Sequence, residues 1–409
     1  MSDKIIEVWC TGMPEVKPKI ENFARIKVIG VGGGGGNAIN RMAEVGISGV
    51  DFITINTDAQ ALHSVKTDKR IQIGKDTTRG LGAGMNPDTG KQAAEETQDE
   101  IYETVKNADM VFVTGGLGGG TGTGAMPVVG EIARESGVLT VGVVTKPFAF
   151  EGAKRREIAD KGLDQLRNKV DAIIVVPNDR ILQIIDRKTS LIDAFKTVDD
   201  VLRQGVQGIS DLITINGMIN VDFADVKAIM QNSGTALMGI GRGSGENRAI
   251  EAAKMAIDSP LLELSIDGAT GVLFNITGGK DLGMHEVDEA GKIITKSVHP
   301  DAKIIFGAVV DEALQDEVRI TVVATGFDDN ALRTPAMRAS LSASAAVFES
   351  PYRPVMEAGS SKKAEKSELI QPIMVPSSSA NSQAEETNEN GIGESEELEI
   401  PAFIRRKMK

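Results

Sequence analysis

The sequence predicts an α/β fold: a parallel sheet, a central helix, and then a second, smaller α/β domain. Three observations support this. Short β-rich apolar runs, IKVIGV, DFITIN, DMVFVTGG, VLTVGVVT and DAIIVVPN, alternate with helical stretches such as NPDTGKQAAEETQDEIYETV. Near-continuous apolar strands separated by helices form a parallel sheet covered on both faces. A long helical segment, SLIDAFKTVDDVLRQGVQGISDLI, then leads into a new set of strand-like runs, TALMGIGRG, GVLFNITGG, AKIIFGAVV and EVRITVVATG. Finally, two glycine-dense stretches directly follow strands of the first group, at the carboxyl ends where open α/β sheets bind ligands.

Along the chain this gives six segments. Residues 1–24 are mixed and proline-containing, and are expected to be a peripheral extension. Residues 25–189 form the first α/β domain, 190–213 the central helix, and 214–326 the second α/β domain. Residues 327–396 are rich in Ser, Glu, Asn and Gln; a segment of that composition cannot bury a core and is expected to be a disordered linker. Residues 397–409 carry LEIPAFIRRKMK, an apolar and basic peptide after an acidic run, which suits partner docking from a flexible tether.

Composition removes several classes of function. A net charge of −13 argues against non-specific nucleic-acid binding, which needs a basic surface. The single cysteine, Cys10, excludes an internal disulfide and fits a reducing compartment. No apolar run approaches the roughly 20 residues that span a bilayer, and the start, MSDKIIEVWCTGMPEV, lacks a secretory apolar segment. The expectation is a cytoplasmic protein without direct membrane insertion. His63, His285 and His299 are scattered without ligand spacing, so a zinc site is not expected.

The stretch GGLGGGTGTG, Gly115 to Gly124, holds seven glycines and two threonines but no lysine. Between a strand and a helix, such a loop lets backbone N–H groups and a helix N-terminus converge on an anion. Thr121 and Thr123 add hydroxyls. A second loop, VIGVGGGGGNAIN, contains a G-x-G-x-x-G match from Gly30 to Gly35, the dinucleotide fingerprint. That fingerprint also wants an acid closing the second strand, whereas DFITINTDAQ closes with Asn56 and Thr57. A nicotinamide or flavin oxidoreductase therefore stays a secondary reading. No G-x-x-x-x-G-K-[ST] occurs, so phosphates here must be neutralised by backbone amides, helix dipoles and a cation. A third stretch, NVDFADV, presents Asn220, Asp222 and Asp225. The two aspartates either cap a helix start or polarise a water for attack on phosphate.

At these residues the chain resembles the bacterial cell-division FtsZ family of the tubulin-like GTPase superfamily. GGGTGTG is similar to the superfamily's signature loop and NVDFADV to its synergy loop; GVGGGGGNA, NTDAQAL, TKPFAFEGAKR and EIPAF extend the match. The resemblance implies a Rossmann-like GTPase domain and a head-to-tail filament, in which the GTP of one subunit meets the synergy loop of the next. It implies GTP/GDP with Mg2+ as cofactor, K+ being an alternative, and a role in the division ring at the inner face of the membrane. It places Gly33, Gly34, Gly35, Gly36, Asn37, Gly120, Thr121, Gly122 and Thr123 around the phosphates. Glu151 and Arg155 match nucleotide-contacting positions, although a surface i,i+4 ion pair also explains them. Asn178, Phe195 and Asp199 fall near the guanine, with Asp200 as an alternative to Asp199. Asn220, Asp222 and Asp225 become the catalytic set supplied in trans. Ile400, Pro401, Phe403, Ile404 and Arg405 become contacts to a membrane tether such as the actin-like FtsA, or to ring regulators. A non-hydrolysing scaffold of the same fold remains the other alternative.

Overall fold

The computed structural model describes residues 24–327 apart from 68, 187, 216, 260–264, 312 and 313. The N-terminal extension to residue 23, the linker from residue 328 and the docking peptide with Ile400, Pro401, Phe403, Ile404 and Arg405 lie outside the described residues.

Ten strands form one sheet: β1 (Ile26–Val31), β2 (Val50–Asn56), β3 (Lys69–Gln72), β4 (Met110–Gly116), β5 (Leu139–Lys146), β6 (Ala172–Pro177), β7 (Gly234–Ser244), β8 (Gly271–Gly278), β9 (Lys303–Val310) and β10 (Glu317–Thr325). Their spatial order is β3-β2-β1-β4-β5-β6-β7-β10-β8-β9. The first six are parallel throughout, in the 3-2-1-4-5-6 order of dinucleotide-binding sheets. Their apolar runs are buried because helices cover both faces, as the sequence pattern predicts. In the second lobe, β10 lies antiparallel between β7 and β8, while β8 and β9 are parallel. The two lobes share the sheet through a short parallel pairing, Ala172, Ile173 and Ile174 of β6 against Gly234, Thr235 and Ala236 of β7.

Two local departures from the sequence pattern have physical causes. Strand β3, KRIQ, escapes an apolar-run criterion because Lys69 and Arg70 are exposed and Ile71 alone is buried. The stretch 86–105 is two helices, Pro87–Glu96 and Gln98–Val105, divided at Thr97. Thr97 leaves helical geometry, and its hydroxyl bonds the Ala93 carbonyl while accepting from the Gly74 N–H. Such local bonds compete with the helix ladder.

The central helix runs Leu191–Thr214. The Ser190 hydroxyl caps it by accepting from the Asp193 N–H at 3.1 Å. Its apolar stripe, Val198, Leu202, Val206, Ile209 and Leu212, recurs at helical spacing and is buried. Leu202, Val206, Ile209 and Leu212 join a core containing Val141 and Val143 of β5 together with Met238, Leu273 and Val323 of the second lobe. A β-carbon on Gly208 would stand 2.7 Å from the Thr321 side chain, so helix and β10 are in direct contact. The helix is thus common core to both lobes.

Ile209 is fully buried in that core. Ile209→Ala should cost about 2–5 kcal/mol. In urea denaturation of the full chain we expect one cooperative transition at lower midpoint, with no separate loss of either lobe.

Candidate functional site

Strand order reverses at β1 and β4; the chain leaves β1 directly, and β4 through a four-residue loop, into glycine-rich helix starts. The helix after β1 spans Gly32–Val45 and the helix after β4 spans Thr121–Glu135. The approach is backbone to backbone. A β-carbon on Gly34 would lie 3.2 Å from the Gly116 nitrogen, one on Gly32 3.1 Å from the Gly122 nitrogen, and one on Gly122 2.6 Å from the Gly116 carbonyl oxygen. The loop after β4 is held to the sheet by Leu117 N–H donating to the Thr145 carbonyl at 2.9 Å. It is braced internally by Gly118 N–H donating to the Thr123 hydroxyl at 2.9 Å.

Between the two loops, the end of β5 and the central helix lies a cavity of about 370 Å³, a size suited to a small-molecule ligand. Gly33, Gly34, Asn37, Gly120, Thr121 and Gly122 line one side. Glu151, Arg155, Asn178, Phe195 and Asp199 line the other. β-Carbons on Gly33 and Gly119 would meet nothing within 4 Å, so these backbones border open space. The first-turn N–H groups of two helices have no intrahelical acceptor, and their dipoles favour negative charge at this point. No lysine lines the cavity.

The far side carries the ring and acid groups. The Phe195 ring stands edge-on to Phe148 with centroids 5.6 Å apart. Phe148 N–H donates to the Glu151 carboxylate at 3.0 Å, and Glu151 also pairs with Arg155. Asn178 is buried, and its side-chain oxygen has no hydrogen-bond partner among the described residues. A buried orphan acceptor in a cavity wall costs stability unless a ligand donates to it. Asp199 is half-buried. Burial lifts its carboxyl to about 6, against the opposing pull of the Arg41 guanidinium. Asp200, one residue on, faces elsewhere: it accepts from Arg203 at 2.7 Å and from Gln204. An aromatic face beside an acceptor-only carboxylate suits a flat heterocycle bearing N–H donors.

Not all expected residues reach the cavity. Gly35 is wedged against Gly30 and the Thr114 carbonyl, Gly36 against Val65, and Thr123 is buried as the brace just described. They shape the loops from behind. Asn220, Asp222 and Asp225 are exposed and absent from the cavity wall. Asp222 caps the helix Phe223–Met230 by accepting from Asp225 N–H at 2.9 Å, and Asn220 accepts from Gly217 N–H at 2.6 Å. The Asp225 carboxylate makes no hydrogen bond among those of the described residues. The cavity also uses Thr145 and Pro147, which TKPFAFEGAKR contains without marking them as site residues, and Leu202, which no motif covers; the rule that ligands sit at strand carboxyl ends points to the first two. The dinucleotide alternative loses its ribose acid, because the Asp58 carboxylate caps helix Ala59–His63 by accepting from Gln60 and Ala61 N–H.

Comparison with known proteins gives a consistent result. The Tubulin/FtsZ family GTPase domain matches residues 25–186, and the FtsZ family C-terminal domain matches residues 234–328. An empty FtsZ dimer from M. jannaschii is 49% identical with a TM-score of 0.72, over 75% of this chain and 89% of that one. A tyrosine-for-tryptophan mutant of M. jannaschii FtsZ is likewise 49% identical with a TM-score of 0.72, over 74% and 91%. CetZ2 from Haloferax volcanii, a GTPγS-bound protofilament, shares the fold at 21% identity and a TM-score of 0.65, over 78% and 99%.

Asp199 yields a test with a definite sign. Its folded pKa of about 6 lies above the ordinary 3.8, so between those values the folded state binds more protons and stability falls as pH rises. Asp199→Asn should therefore melt higher than the parent at pH 7.5 without nucleotide, the difference vanishing below about pH 4. The same variant should bind GTP at least tenfold more weakly at pH 7.5. A variant both more stable and worse at binding identifies a ligand group rather than a structural one.

Proposed function

The chain belongs to the FtsZ family and carries its GTPase domain; from this premise we propose that it hydrolyses GTP at the junction between successive copies of itself. The copies would assemble head to tail into filaments forming the division ring. The observation that carries the reading is the separation of two half-sites. Asp199 lines the cavity, whereas Thr214, at the other end of the central helix, lies fifteen residues later, roughly 22 Å along the axis. The segment bearing Asn220, Asp222 and Asp225 follows that far end and is bridged to β9 through Ile219 and Ala308. One chain cannot fold these carboxylates into its own cavity, but a translated second copy can present them there. A heterologous contact of this kind propagates as an open filament.

In this reading the phosphates sit against the two helix starts, with Gly33, Gly34 and Gly120 to Gly122 giving backbone N–H groups. Phe195 stacks on guanine, Asp199 accepts from N1–H and the exocyclic amine, and Asn178 uses its orphan oxygen nearby. Asp225 of the next subunit, its carboxylate not engaged elsewhere, accepts a proton of the attacking water and aligns it with the γ-phosphorus. Asp222 holds the helix start that aims Asp225, and Asn220 fixes the preceding turn. No group of three or more potential ligands forms a metal cage among the described residues. Mg2+, or K+, would be held chiefly by the nucleotide's own phosphates and would supply charge neutralisation.

Assembly as a ring beneath the membrane in the cytoplasm, with the tail recruiting a tether such as FtsA, extends the same family reading. It is in keeping with the absence, among the described residues, of a helix long and apolar enough to cross a membrane. A non-hydrolysing scaffold would show no turnover at any concentration.

GTP turnover per subunit should rise steeply with protein concentration, in step with light scattering; a flat dependence would remove the shared site. Asp225→Ala should keep GTP binding and lose about a hundredfold or more in turnover. Mixing it with Asp199→Ala, whose acids are intact but whose pocket is not, should restore part of the activity that neither variant shows alone.

A further inference from the structure

Where Thr121 lines the cavity, its hydroxyl stands 2.6 Å from that of Thr57, close enough to share one proton-mediated bond. Thr57 immediately follows β2 and is wholly buried. Its carbonyl accepts from the Thr78 hydroxyl at 3.2 Å, which holds that residue from a second element. Thr121 opens the helix Thr121–Glu135, is half-buried, and lines the cavity. Neither hydroxyl has a second side-chain or backbone partner among the hydrogen bonds of the described residues.

Proton accounting then settles the direction of the bond. Each hydroxyl has one proton to give. If Thr121 donated to Thr57, the Thr57 proton would be sealed in the core without an acceptor, which buried polar groups avoid. If Thr57 donates to Thr121, its proton is satisfied and the Thr121 proton is left to point outward. We propose that Thr57 is a positioning residue: it locks the Thr121 hydroxyl as a donor into the cavity, matched to a phosphoryl oxygen of the bound nucleotide. A group that only accepts, such as an anionic phosphoryl oxygen, satisfies this donor, and the charge-assisted bond is stronger than a neutral one. Because the hydroxyl is already aimed, little reorientation accompanies binding. The lysine-free loop thereby gains one side-chain donor beside its backbone N–H groups. This inference rests on the reading of the cavity as a GTP site.

The test uses the full chain as parent, Thr57→Val and Thr57→Ser, with affinities for GTP and for guanosine measured by displacement of a fluorescent GTP analogue. Thr57→Val should weaken GTP about tenfold and leave guanosine unchanged, while Thr57→Ser restores GTP affinity to within about twofold. A general structural disturbance would weaken both ligands, and that result overturns the proposal. So does unchanged GTP affinity in Thr57→Val, or a Thr57→Ser variant as weak as the valine. Should Thr57→Val not fold, Thr121→Val carries the test: it must lose GTP affinity selectively, and unchanged GTP binding refutes the donor role. The parent distinguishes the two levels, since a parent that ignores GTP defeats the nucleotide reading itself and the inference with it.

Discussion

Everything at the cavity depends on two stretches of main chain approaching more closely than side chains permit. The turns after β1 and β4 touch where Gly32 meets Gly122 and Gly34 meets Gly116; β-carbons on Gly32, Gly34 and Gly122 would fall 2.6–3.2 Å from a neighbouring backbone atom. Only that closeness brings two helix starts to bear on one point, and it explains why the glycines are so dense. Other glycines act differently. Gly33 and Gly119 border open space, while Gly124 and Gly90 let the helices Thr121–Glu135 and Pro87–Glu96 pack against each other's backbone. Thus part of a loop that looks devoted to a ligand is instead a helix-packing device.

Charge in the cavity is arranged with similar economy. The side formed by the glycine loops offers N–H groups and hydroxyls, which need no counter-ion of their own. The ring side places an acid, Asp199, where burial raises its pKa to about 6, alongside an unsatisfied Asn178 oxygen. Both cost stability unless a ligand donates to them. Buried acceptors left open in this way are a common mark of a recognition site.

Much of this was legible in the residues. The apolar runs located β1, β2, β4, β5, β6 and the strands of the second lobe: burial on both faces leaves an unbroken hydrophobic stretch in β4 and β8, while β9 keeps one although Lys303 and Phe306 are exposed. Strand β3 and the break at Thr97 were not legible, since exposed Lys69 and Arg70 mask one and a side-chain bond to Gly74 makes the other. Within the site, glycine motifs locate the loops but cannot say which glycine faces outward: Gly33 does, Gly35 and Gly36 do not. The choice between Asp199 and Asp200 turns on helix rotation of one residue, and the Arg203 and Gln204 contacts of Asp200 decide which way it points. Thr57 lies within NTDAQAL, but nothing in that stretch points to Thr121; its position against Thr121 exists only once β2 and β4 have paired with β1.

The distance along the central helix between the cavity and the NVDFADV segment has a further consequence for a chain of such molecules. With the shared site proposed above, any finite row would carry an open nucleotide mouth at one terminus and bare aspartates at the other, so its two termini would be chemically unlike. The terminal mouth would have no donated acid and would keep its triphosphate longest, whereas every mouth inside the row would be exposed to cleavage. Growth and loss would then proceed at different rates at the two termini, giving the row a direction fixed by the fold of a single subunit.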